Sequence, residues 1–489
     1  MRARWSLLIV LLALPGVVWS QPPSGRAGAS AGGARGPAGT VSLARDLLAG
    51  IVAINTTLSG GATTPAAELL AARFRAAGFA PADVMVIGPN AAQKNLVVRW
   101  RGRDRTRKPV VFNAHLDVVE APRLDWGTNP FRLTEQDGYL YGRGVLDDKG
   151  PAASMAAAWM VAKRRGLMPE RDLVLALTAG EETGVNNGAE WLLAKRRALV
   201  DAEYVLNLDA GGGEVSGDSV KAYVLEAAEK VYLDIELVAR GAGGHSSVPN
   251  GETPIDALAR ALGRLGRYQF PVKLNAVVRA FMERRAALTT GEESSAMAAL
   301  AKDPDNLGAQ SILVRDPSIN AMLRTTCIAT MLRGGTAPNA IPQEVGATVN
   351  CRILPGEPLD SVIATIKREI ADTSISVRTL TPGLPSDPST PTPAILALVG
   401  RALAGVAPGV PVIPYMEIGA TDAIYFRNAG IAVYGTGGMF VPEGDLGRMH
   451  GRDERISVRA FGLMVQYSER LLAEVGGFTA ATLPGGAQR

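Results

Sequence analysis

Side chains able to bind a metal follow three apolar runs of the sequence. They are His115 and Asp117 after the first run, Glu181 and Glu182 after the second, and Asp209 after the third. In an extended strand, residues two apart point to the same side, so His115 and Asp117 can meet one target. Zinc accepts imidazole nitrogen and carboxylate oxygen, and catalytic zinc sites leave one position open for water. The recurrence predicts metal-dependent chemistry at the ends of these runs.

Two further segments offer the groups that a pair of metals would still need. Asp147 follows a Gly-containing stretch, and His450 is the last of only three histidines in the chain. A metal pair requires a bridging carboxylate, and it can polarise a carbonyl while it activates a shared water. The predicted ligands are Asp147 as the bridge, His115 and Asp209 at one metal, and Glu182 and His450 at the other.

Glu181 and Asp117 are close in sequence to the predicted ligands but are not predicted to bind a metal. Glu181 is predicted to be the general base that takes a proton from the water. Asp117 is predicted to orient the His115 ring and to raise its basicity. The alternative is that Glu181 belongs to a polar loop and that Asp147 to Lys149 form a helix N-cap cluster. The association of histidines with several carboxylates at the ends of apolar runs favours the metal site.

These groups need a scaffold that brings distant segments to one edge. Apolar strands and helices alternate in the first half of the chain, which predicts an α/β fold with a mostly parallel sheet sandwiched by helices. Ligands bind such sheets outside the carboxyl ends of the strands, where the predicted metal groups fall. The pattern changes near residue 231, so we expect a catalytic domain at 41–229 and 386–480, and an inserted α+β domain at 230–385 with a helical insert at about 273–318.

The amino terminus has the pattern of a secretory signal. Arg2 and Arg4 precede an apolar run that is too short to cross a bilayer comfortably, and small residues precede a cleavage point near Ser20. Residues 1–20 are therefore predicted to be a signal peptide, and 21–40 a flexible linker rich in Gly, Ala and Pro. We expect an exported protein, periplasmic or secreted, with no membrane association after the signal is removed.

The composition argues against nucleic-acid binding, and it does not decide whether the two cysteines pair. The net charge of +4 over 489 residues is small, and the basic residues are not interleaved with aromatic ones, so nucleic-acid binding is not expected. Cys327 and Cys351 end neighbouring predicted strands and lack the spacing of a zinc–thiolate site. In an exported protein they either form a disulfide or stay free, and the sequence does not establish which.

Six short segments form a set that is specific when taken together. They are His115-Leu-Asp117, Gly142-Arg-Gly-Val-Leu-Asp147-Asp-Lys-Gly150, Glu181-Glu182, Asn207-Leu-Asp209, Gly243-Gly-His245-Ser and His450. The set resembles the co-catalytic zinc peptidases and deacylases, a family that includes aminoacylase, acetylornithine deacetylase, glutamate carboxypeptidase and carnosine dipeptidase. The resemblance implies two divalent metal ions, expected to be Zn²⁺, with Asp147 as the bridge and Asp148 unassigned. It also implies that the inserted domain is a lid that can form a homodimer, enlarged by the insert as in carboxypeptidase-like members.

The resemblance assigns further residues to the substrate. It implies that His245 stabilises the oxyanion, from its own lid or from that of a partner subunit, and a Gly-rich turn leaves it free to approach. Asn339 and Arg352 match lid positions that contact substrate in the family, and arginine suits a carboxylate. Gly419 and Thr421 resemble a substrate-facing loop.

The predicted function is an exported two-metal hydrolase that cleaves the amide bond of a short peptide or an N-acyl amino acid. One alternative is an N-acyl amino acid deacylase that acts on a non-peptide metabolite. Another, of a different class, is a catalytically inactive binding protein of the same fold. The predicted ligands and the base are all present, which favours the enzyme, and Asp209, where several deacylases carry Glu, favours the peptidases.

Overall fold

The computed structural model describes residues 36–217, 219–248 and 251–478, so the predicted signal peptide and most of the predicted linker lie outside the described residues. The strands are, in chain order, β1 (Val84–Ile87), β2 (Asn95–Trp100), β3 (Val110–His115), β4 (Thr134–Gln136), β5 (Tyr139–Tyr141), β6 (Leu173–Thr178), β7 (Tyr204–Asn207), β8 (Gly212–Ser216), β9 (Ser219–Glu229), β10 (Val231–Arg240), β11 (Gly244–His245), β12 (Thr326–Gly334), β13 (Ala340–Ile341), β14 (Glu344–Ile353), β15 (Ser376–Thr379), β16 (Val412–Glu417), β17 (Ala432–Gly435) and β18 (Arg455–Ser457). The α-helices are α1 (Gly36–Val52), α2 (Thr64–Ala76), α3 (Lys149–Arg164), α4 (Gly188–Arg196), α5 (Pro254–Leu265), α6 (Ala276–Ala286), α7 (Glu292–Lys302), α8 (Leu307–Leu313), α9 (Pro317–Leu323), α10 (Leu359–Ile370), α11 (Pro393–Leu403), α12 (Ala423–Asn428), α13 (Glu443–Leu446) and α14 (Val458–Gly476). Among the described residues, no helix is both long and apolar enough to cross a bilayer.

A nine-stranded sheet is the scaffold of the larger domain. Its strands follow the order β1, β2, β6, β3, β7, β17, β9 and β16, and β8 pairs with β9 outside this order. At the centre, β6, β3, β7 and β17 run parallel to one another, and β9 and β16 also pair in parallel. The pairs β1–β2, β2–β6, β8–β9 and β17–β9 are antiparallel. Strands β3 and β6 are buried along their whole length, as their apolar runs predict for strands covered on both faces. The predicted α/β fold with a mostly parallel central sheet is confirmed.

Helices cover both faces of this sheet. Side chains alternate along β3, so that Phe112 packs in the core with α1, α3 and α14, while Val111 packs on the other face with α4 and α12. The small alanines of α3 permit close packing, and every residue from Lys149 to Val161 is buried. The segment that precedes α3, which carries Asp147, is therefore fixed against the sheet.

The domain predicted to be the lid, called the lid below, is built on an antiparallel sheet of four strands, in the order β12, β14, β10 and β15. Helices α5 and α10 pack against one face of it, over a core that includes Leu233, Ile235 and Val349. The strand register places Cys327 opposite Cys351, and their sulfurs form a disulfide. The pairing that the sequence left open is thus present in the structure.

The helical insert packs on the larger domain. Helix α6 lies against β16, where the rings of Phe281 and Tyr415 have centroids 5.8 Å apart. The buried side chains of α6 to α9 belong to the same apolar core as the main sheet, and the lid sheet has a separate core. This differs from the expectation that the insert enlarges the lid, because α6 covers β16 at the end of the main sheet, α7 packs on α6, and α8 packs on α7. The boundaries of the domains remain predictions.

Candidate metal centre

Three adjacent parallel strands carry predicted metal-binding side chains at their carboxyl ends. Strand β3 ends in His115, Glu181 and Glu182 follow β6, and Asp209 follows β7. Because β6, β3 and β7 are neighbours with the same direction, these ends meet at one edge of the sheet. The segment before α3 and the one after α13 reach the same edge.

Asp147 lies between two histidines. Its Oδ1 is 2.9 Å from Nε2 of His115, and its Oδ2 is 2.9 Å from Nε2 of His450. Asp209 joins the first group, with Oδ1 3.6 Å from Nε2 of His115, and Glu182 joins the second, with Oε2 3.1 Å from Nε2 of His450. Within each group of three residues the potential ligand atoms lie within 4.8 Å of one another. The structure thus brings the five predicted ligands together, in two groups that share Asp147.

The donor atoms of both groups fit a divalent metal. Each group offers one imidazole nitrogen and two carboxylate oxygens, which are ligands that zinc takes in catalytic sites. Oε1 of Glu182 is buried, and among the described residues it has no hydrogen-bond partner, as expected for a carboxylate whose partner is a cation. Three carboxylates share this space with two imidazoles, so bound cations would also balance the negative charge.

The electrostatics of the cluster reflect the same excess of negative charge. Burial, together with Asp147 and Glu182, raises the pKa of Asp209 to about 7, and His115 opposes this rise only in part. Hydrogen bonds to Asp147 and Glu182 raise the pKa of His450 to about 10. Burial lowers the pKa of His115, but the attraction of Asp209 and Asp147 outweighs it, so that this pKa lies well above its usual value. The cluster therefore attracts positive charge.

The carboxylate of Asp117 holds the loop that carries Glu181 and Glu182. Its two oxygens accept hydrogen bonds from the backbone N–H groups of these residues, at 3.2 and 3.1 Å. The His115 ring is oriented by the backbone carbonyl of Asp117, 3.0 Å from Nδ1, whereas the carboxylate is 3.8 Å away. A carbonyl only accepts, so Nδ1 carries the proton and Nε2 faces the cluster. Asp117 thus orients the His115 ring through its backbone carbonyl. Its carboxylate was predicted to contact the ring, but it binds the backbone of Glu181 and Glu182 instead.

Glu181 lies beside the first group without joining it. Its Oε2 is 4.0 Å from Nε2 of His115. Burial and the carboxyl groups of Asp209, Asp422 and Glu182 raise the pKa of Glu181 well above its usual range, although His115 opposes them. A carboxyl group with a raised pKa can accept a proton and release it near neutral pH, as a general base must.

Three buried acids that were not predicted support the cluster. Glu454 accepts from two backbone N–H groups of the segment before Asp147, at 3.0 and 2.7 Å. Asp148 accepts from the backbone N–H of His115 at 3.0 Å, and Asp422 accepts from the hydroxyl at the end of β6 at 2.5 Å. Asp148 and Asp422 stand next to residues that the sequence singled out. No sequence pattern indicates the role of Glu454, which lies 308 residues after Leu146, from whose backbone N–H it accepts a hydrogen bond.

His245 and Asn339 lie together in the lid and outside the metal cluster. Strand β11, which carries His245, pairs with β13, and the backbone N–H of Ser246 donates to the carbonyl of Asn339 at 3.1 Å. Both side chains are exposed, and Nδ1 of His245 accepts from the hydroxyl of Ser247 at 2.7 Å. Within the described part of the chain, His245 forms no ion pair with an acid of the cluster.

Arg352 lies on strand β14 of the lid sheet. Its guanidinium carbon lies 4.6 Å from the centre of the Tyr232 ring. Burial lowers the pKa of Arg352, and the carboxyl groups of Glu417 and Glu181 are among the charges that oppose this, so both act on the guanidinium electrostatically. Arg352 thus interacts electrostatically with Glu181, which lies beside the metal cluster.

Gly419 and Thr421, which were predicted to face the substrate, lie in the loop after β16 and bond to other residues of the protein. The N–H of Gly419 donates to Glu417 at 3.2 Å. Thr421 is buried: its N–H and hydroxyl donate to Glu229 at 2.7 and 3.0 Å, and its hydroxyl accepts from Asn207 at 3.1 Å. The expected substrate contact by the Thr421 side chain does not fit this structure, because its hydroxyl is already bonded inside the protein.

Relatives of known name support the interpretation of the cluster. The model of Peptidase family M20/M25/M40 matches residues 111–474. The N-fatty-acyl-amino acid synthase/hydrolase PM20D1 of Xenopus tropicalis is 31% identical over 380 residues, which cover 76% of this chain and 73% of the relative. Probable carboxypeptidase S-like 2 of Dictyostelium discoideum is 28% identical over 390 residues, 78% of this chain and 74% of the relative.

Solved structures share the fold. Human carnosine dipeptidase 1 superposes with a TM-score of 0.67 at 17% identity, over 90% of this chain and 97% of that chain. The metallo-carboxypeptidase Sso-CP2 from Sulfolobus solfataricus superposes with a TM-score of 0.67 at 16% identity, over 88% of this chain and 99% of that chain. The resemblance noted from the six segments is confirmed by the family match. The chain belongs to peptidase family M20/M25/M40 and is a metal-dependent hydrolase.

Proposed function

We propose that this protein is an exported two-metal hydrolase that cleaves the amide bond of N-acyl amino acids or short peptides. The observation that carries the proposal is the pair of ligand groups that share Asp147, with Glu181 beside them. A metal pair held by a shared carboxylate suits the hydrolysis of an unactivated carbonyl. The proposed ligands are His115, Asp147 and Asp209 for one metal, and Asp147, Glu182 and His450 for the other.

The protein residues have separate tasks in this reaction. Two divalent cations, when bound, would polarise the scissile carbonyl and activate a water molecule. Glu181 accepts a proton as the water attacks the carbonyl carbon, and it delivers that proton to the nitrogen of the breaking C–N bond. The carbonyl of Asp117 keeps the His115 proton on Nδ1. Arg352 binds the carboxylate of the substrate.

The names of two relatives support the substrate class. One is an N-fatty-acyl-amino acid synthase/hydrolase and the other a probable carboxypeptidase. N-acyl amino acids and peptides both carry a carboxylate near an amide bond, which suits a lid arginine that interacts electrostatically with Glu181. A deacylase for a non-peptide metabolite would use the same chemistry. An inactive binding protein would be expected to lack a ligand or the base, and the chain has them all.

Metal analysis and a substrate panel test this proposal. We expect about two divalent metals per chain, hydrolysis of at least one N-acyl amino acid or dipeptide, and loss of activity on chelation. Glu181→Gln should keep the metals and lower kcat by at least ~100-fold, whereas Glu293→Gln, an exposed change of the same kind, should not. Absence of metal from carefully purified protein would overturn the proposal, and loss of metal in Glu181→Gln would mean that Glu181 is a ligand.

Export is tested on the intact chain. The signal predicted at residues 1–20 should be removed, so mass spectrometry of protein from outside the cytoplasm should give an amino terminus near residue 21. An uncleaved chain that stays in the cytoplasm would contradict this part of the proposal.

The lid offers a surface for a second copy of the chain. Strand β12 is the outermost strand of the lid sheet, and Ile328, Met331 and Leu332 on it are 65%, 67% and 73% exposed. An exposed apolar edge strand readily pairs with another strand. We therefore propose a homodimer that forms through β12.

A homodimer would also give His245 a role. Arg352 pairs with Tyr232 near the start of β10, whereas His245 follows the end of that strand at Arg240. The strand rises by roughly 26 Å between these ends at about 3.3 Å per residue, which exceeds the reach of the two side chains. If Arg352 serves the metal centre of its own chain, His245 serves that of the partner subunit.

Mixing two inactive variants tests this arrangement. Sedimentation should give a dimer, and His245→Ala and Glu181→Gln should each be inactive. After unfolding and refolding together they should recover about a quarter of the wild-type activity, because half of the dimers hold one complete site. A monomer in solution, or a mixture that stays inactive although it forms mixed dimers, would contradict the shared site.

A further inference from the structure

One face of the lid sheet carries a polar network around Arg352. In the register of β10 and β14, Tyr232 lies opposite Arg352 and Asp234 lies opposite Asn350. Alternation along the strands puts these four side chains on one face, and it puts Leu233 and its neighbours on the face that α5 and α10 cover. The network therefore lies on the side of the lid sheet that these two helices leave uncovered.

The four side chains form a closed set of contacts. The Arg352 guanidinium lies over the Tyr232 ring at 4.6 Å, and its Nε donates to Oδ1 of Asn350 at 3.2 Å. The amide of Asn350 donates to Oδ1 of Asp234 at 2.8 Å, and the Tyr232 hydroxyl donates to Oδ2 of Asp234 at 2.7 Å. The backbone N–H of Asp234 is in turn bonded to the hydroxyl of Thr381 at 2.8 Å.

This network leaves one end of the guanidinium for a ligand. Contacts from the lid use the ring face and Nε of Arg352, and among the described residues its terminal Nη groups have no hydrogen-bond acceptor. Two parallel N–H groups match the two oxygens of a carboxylate. Arginine loses much rotamer entropy when it is fixed, and a network that fixes it before binding removes that cost from the binding step.

Tyr232 suits this task in two ways. Its ring supplies a flat surface for the planar cation, at a separation typical of a cation–π contact. Its hydroxyl donates to Oδ2 of Asp234 at 2.7 Å, and burial together with this hydrogen bond raises the pKa of the hydroxyl to about 12. Asp234 thus fixes Tyr232 and Asn350 together, and through them the direction of the guanidinium.

We propose that Tyr232, Asp234 and Asn350 are positioning residues that hold Arg352 ready for the α-carboxylate of the substrate, and that they set the preference for free acids over amides. The inference rests on the proposed function, in which Arg352 binds that carboxylate. It assigns selectivity to side chains that do not touch the substrate. Their loss should therefore weaken carboxylate binding more than it affects the chemistry at the metals.

The test compares N-octanoylphenylalanine with its C-terminal amide. In Tyr232→Leu and Asn350→Ala, KM for the acid should rise about tenfold with kcat within about twofold, and the constants for the amide should stay unchanged. Tyr232→Phe keeps the ring and should retain most of the preference for the acid. Thr348→Ala changes the same face one residue pair beyond the network and serves as the matched control.

Binding measurements separate this inference from the proposed function. Calorimetry on Glu181→Gln, alone and combined with each lid substitution, gives the dissociation constants of acid and amide without turnover. Weaker binding of the acid alone in Tyr232→Leu and Asn350→Ala supports the inference. The inference is overturned if Glu181→Gln alone binds the acid and the amide equally well. It is also overturned if the preference for the acid requires Arg352 but persists in both Tyr232→Leu and Asn350→Ala. Failure of the proposed function would show separately, as a wild-type protein that binds these compounds and hydrolyses none.

Discussion

Replacing Asp117 by Asn separates two ways of holding the metal centre. The wild-type carboxylate offers one oxygen to each backbone N–H of Glu181 and Glu182. Asn has one oxygen and one NH₂ group, so one of these N–H groups would face a donor. Asp117 is only 6% exposed, so water has limited access to the site of the lost bond. The backbone carbonyl that orients His115 remains in place.

The size of the effect follows from this one hydrogen bond. A buried donor left unpaired costs about 1–3 kcal/mol, and the loss of a charged acceptor favours the upper part of that range. We expect the free energy of unfolding to fall by this amount. Affinity for the metal at the Glu182 group should fall about 10- to 100-fold, and kcat should fall because Glu181 is no longer fixed. Asp305→Asn makes the same change at an exposed site and should alter none of these.

Metal affinity measured in two backgrounds identifies the route of the effect. Competition with a chelator gives the affinities of the wild-type protein, of Asp117→Asn, of Glu182→Ala and of the double variant. In the Glu182→Ala background only the His115 group keeps its full set of side chains. If Asp117 acts through the loop, adding Asp117→Asn there should not weaken the remaining metal further. A further loss of affinity in the double variant would refute the reasoning, since the carboxylate would then act through the His115 ring.

Three further predictions concern stability. Burial lowers the pKa of Lys230 from 10.5 to about 7, so between these pH values the side chain is protonated in the unfolded chain and neutral in the folded one. The free energy of unfolding should therefore rise from pH 7 towards pH 10, by up to roughly 5 kcal/mol. Chemical unfolding at several pH values should show a smaller rise in Lys230→Met, and an equal rise would contradict the assignment. Reduction of the disulfide between Cys327 and Cys351, 24 residues apart, should lower the free energy of unfolding by about 3 kcal/mol, and melting curves that do not change with reductant would exclude this. A Cβ at Gly437 would lie 2.0 Å from the backbone oxygen of Leu208, so Gly437→Ala should reduce metal content and melting temperature, and unchanged values for both would show that the strand end can shift freely.

The sequence was sufficient to bring the predicted metal groups to one edge. The runs before His115, Glu181 and Asp209 are largely apolar, which is typical of parallel strands between two helical layers, and such strands end together. His450 could be added because the chain has so few histidines, and Asp147 because a metal pair needs a bridge. These inferences depend on residue types and on strand direction, and both can be read from a sequence.

The hydrogen bonds that hold these groups could not be predicted in the same way. Whether Asp117 binds the His115 ring or the neighbouring loop depends on backbone angles that its position two residues after His115 does not determine. Glu454 supports Asp147 from the far end of the chain, and Thr421 turns inward because Glu229 is buried beside it. Such contacts follow from the packing of distant segments, for which a single sequence carries no local pattern.

The junction between the main sheet and the lid contains a buried lysine beside the lid network. Lys230 stands between β9 of the main sheet and β10 of the lid, and its Nζ donates to the backbone carbonyls of Ala321 and Arg324 at 2.8 Å each. Arg352 is close enough to lower the pKa of Lys230 further, and Tyr232 is only two residues along the chain. We therefore expect this buried lysine to support the start of β10, where Tyr232 lies opposite Arg352 of β14. Lys230→Met should raise KM for carboxylate substrates while both metals stay bound, because it disturbs the support of the lid and leaves the edge of the main sheet intact.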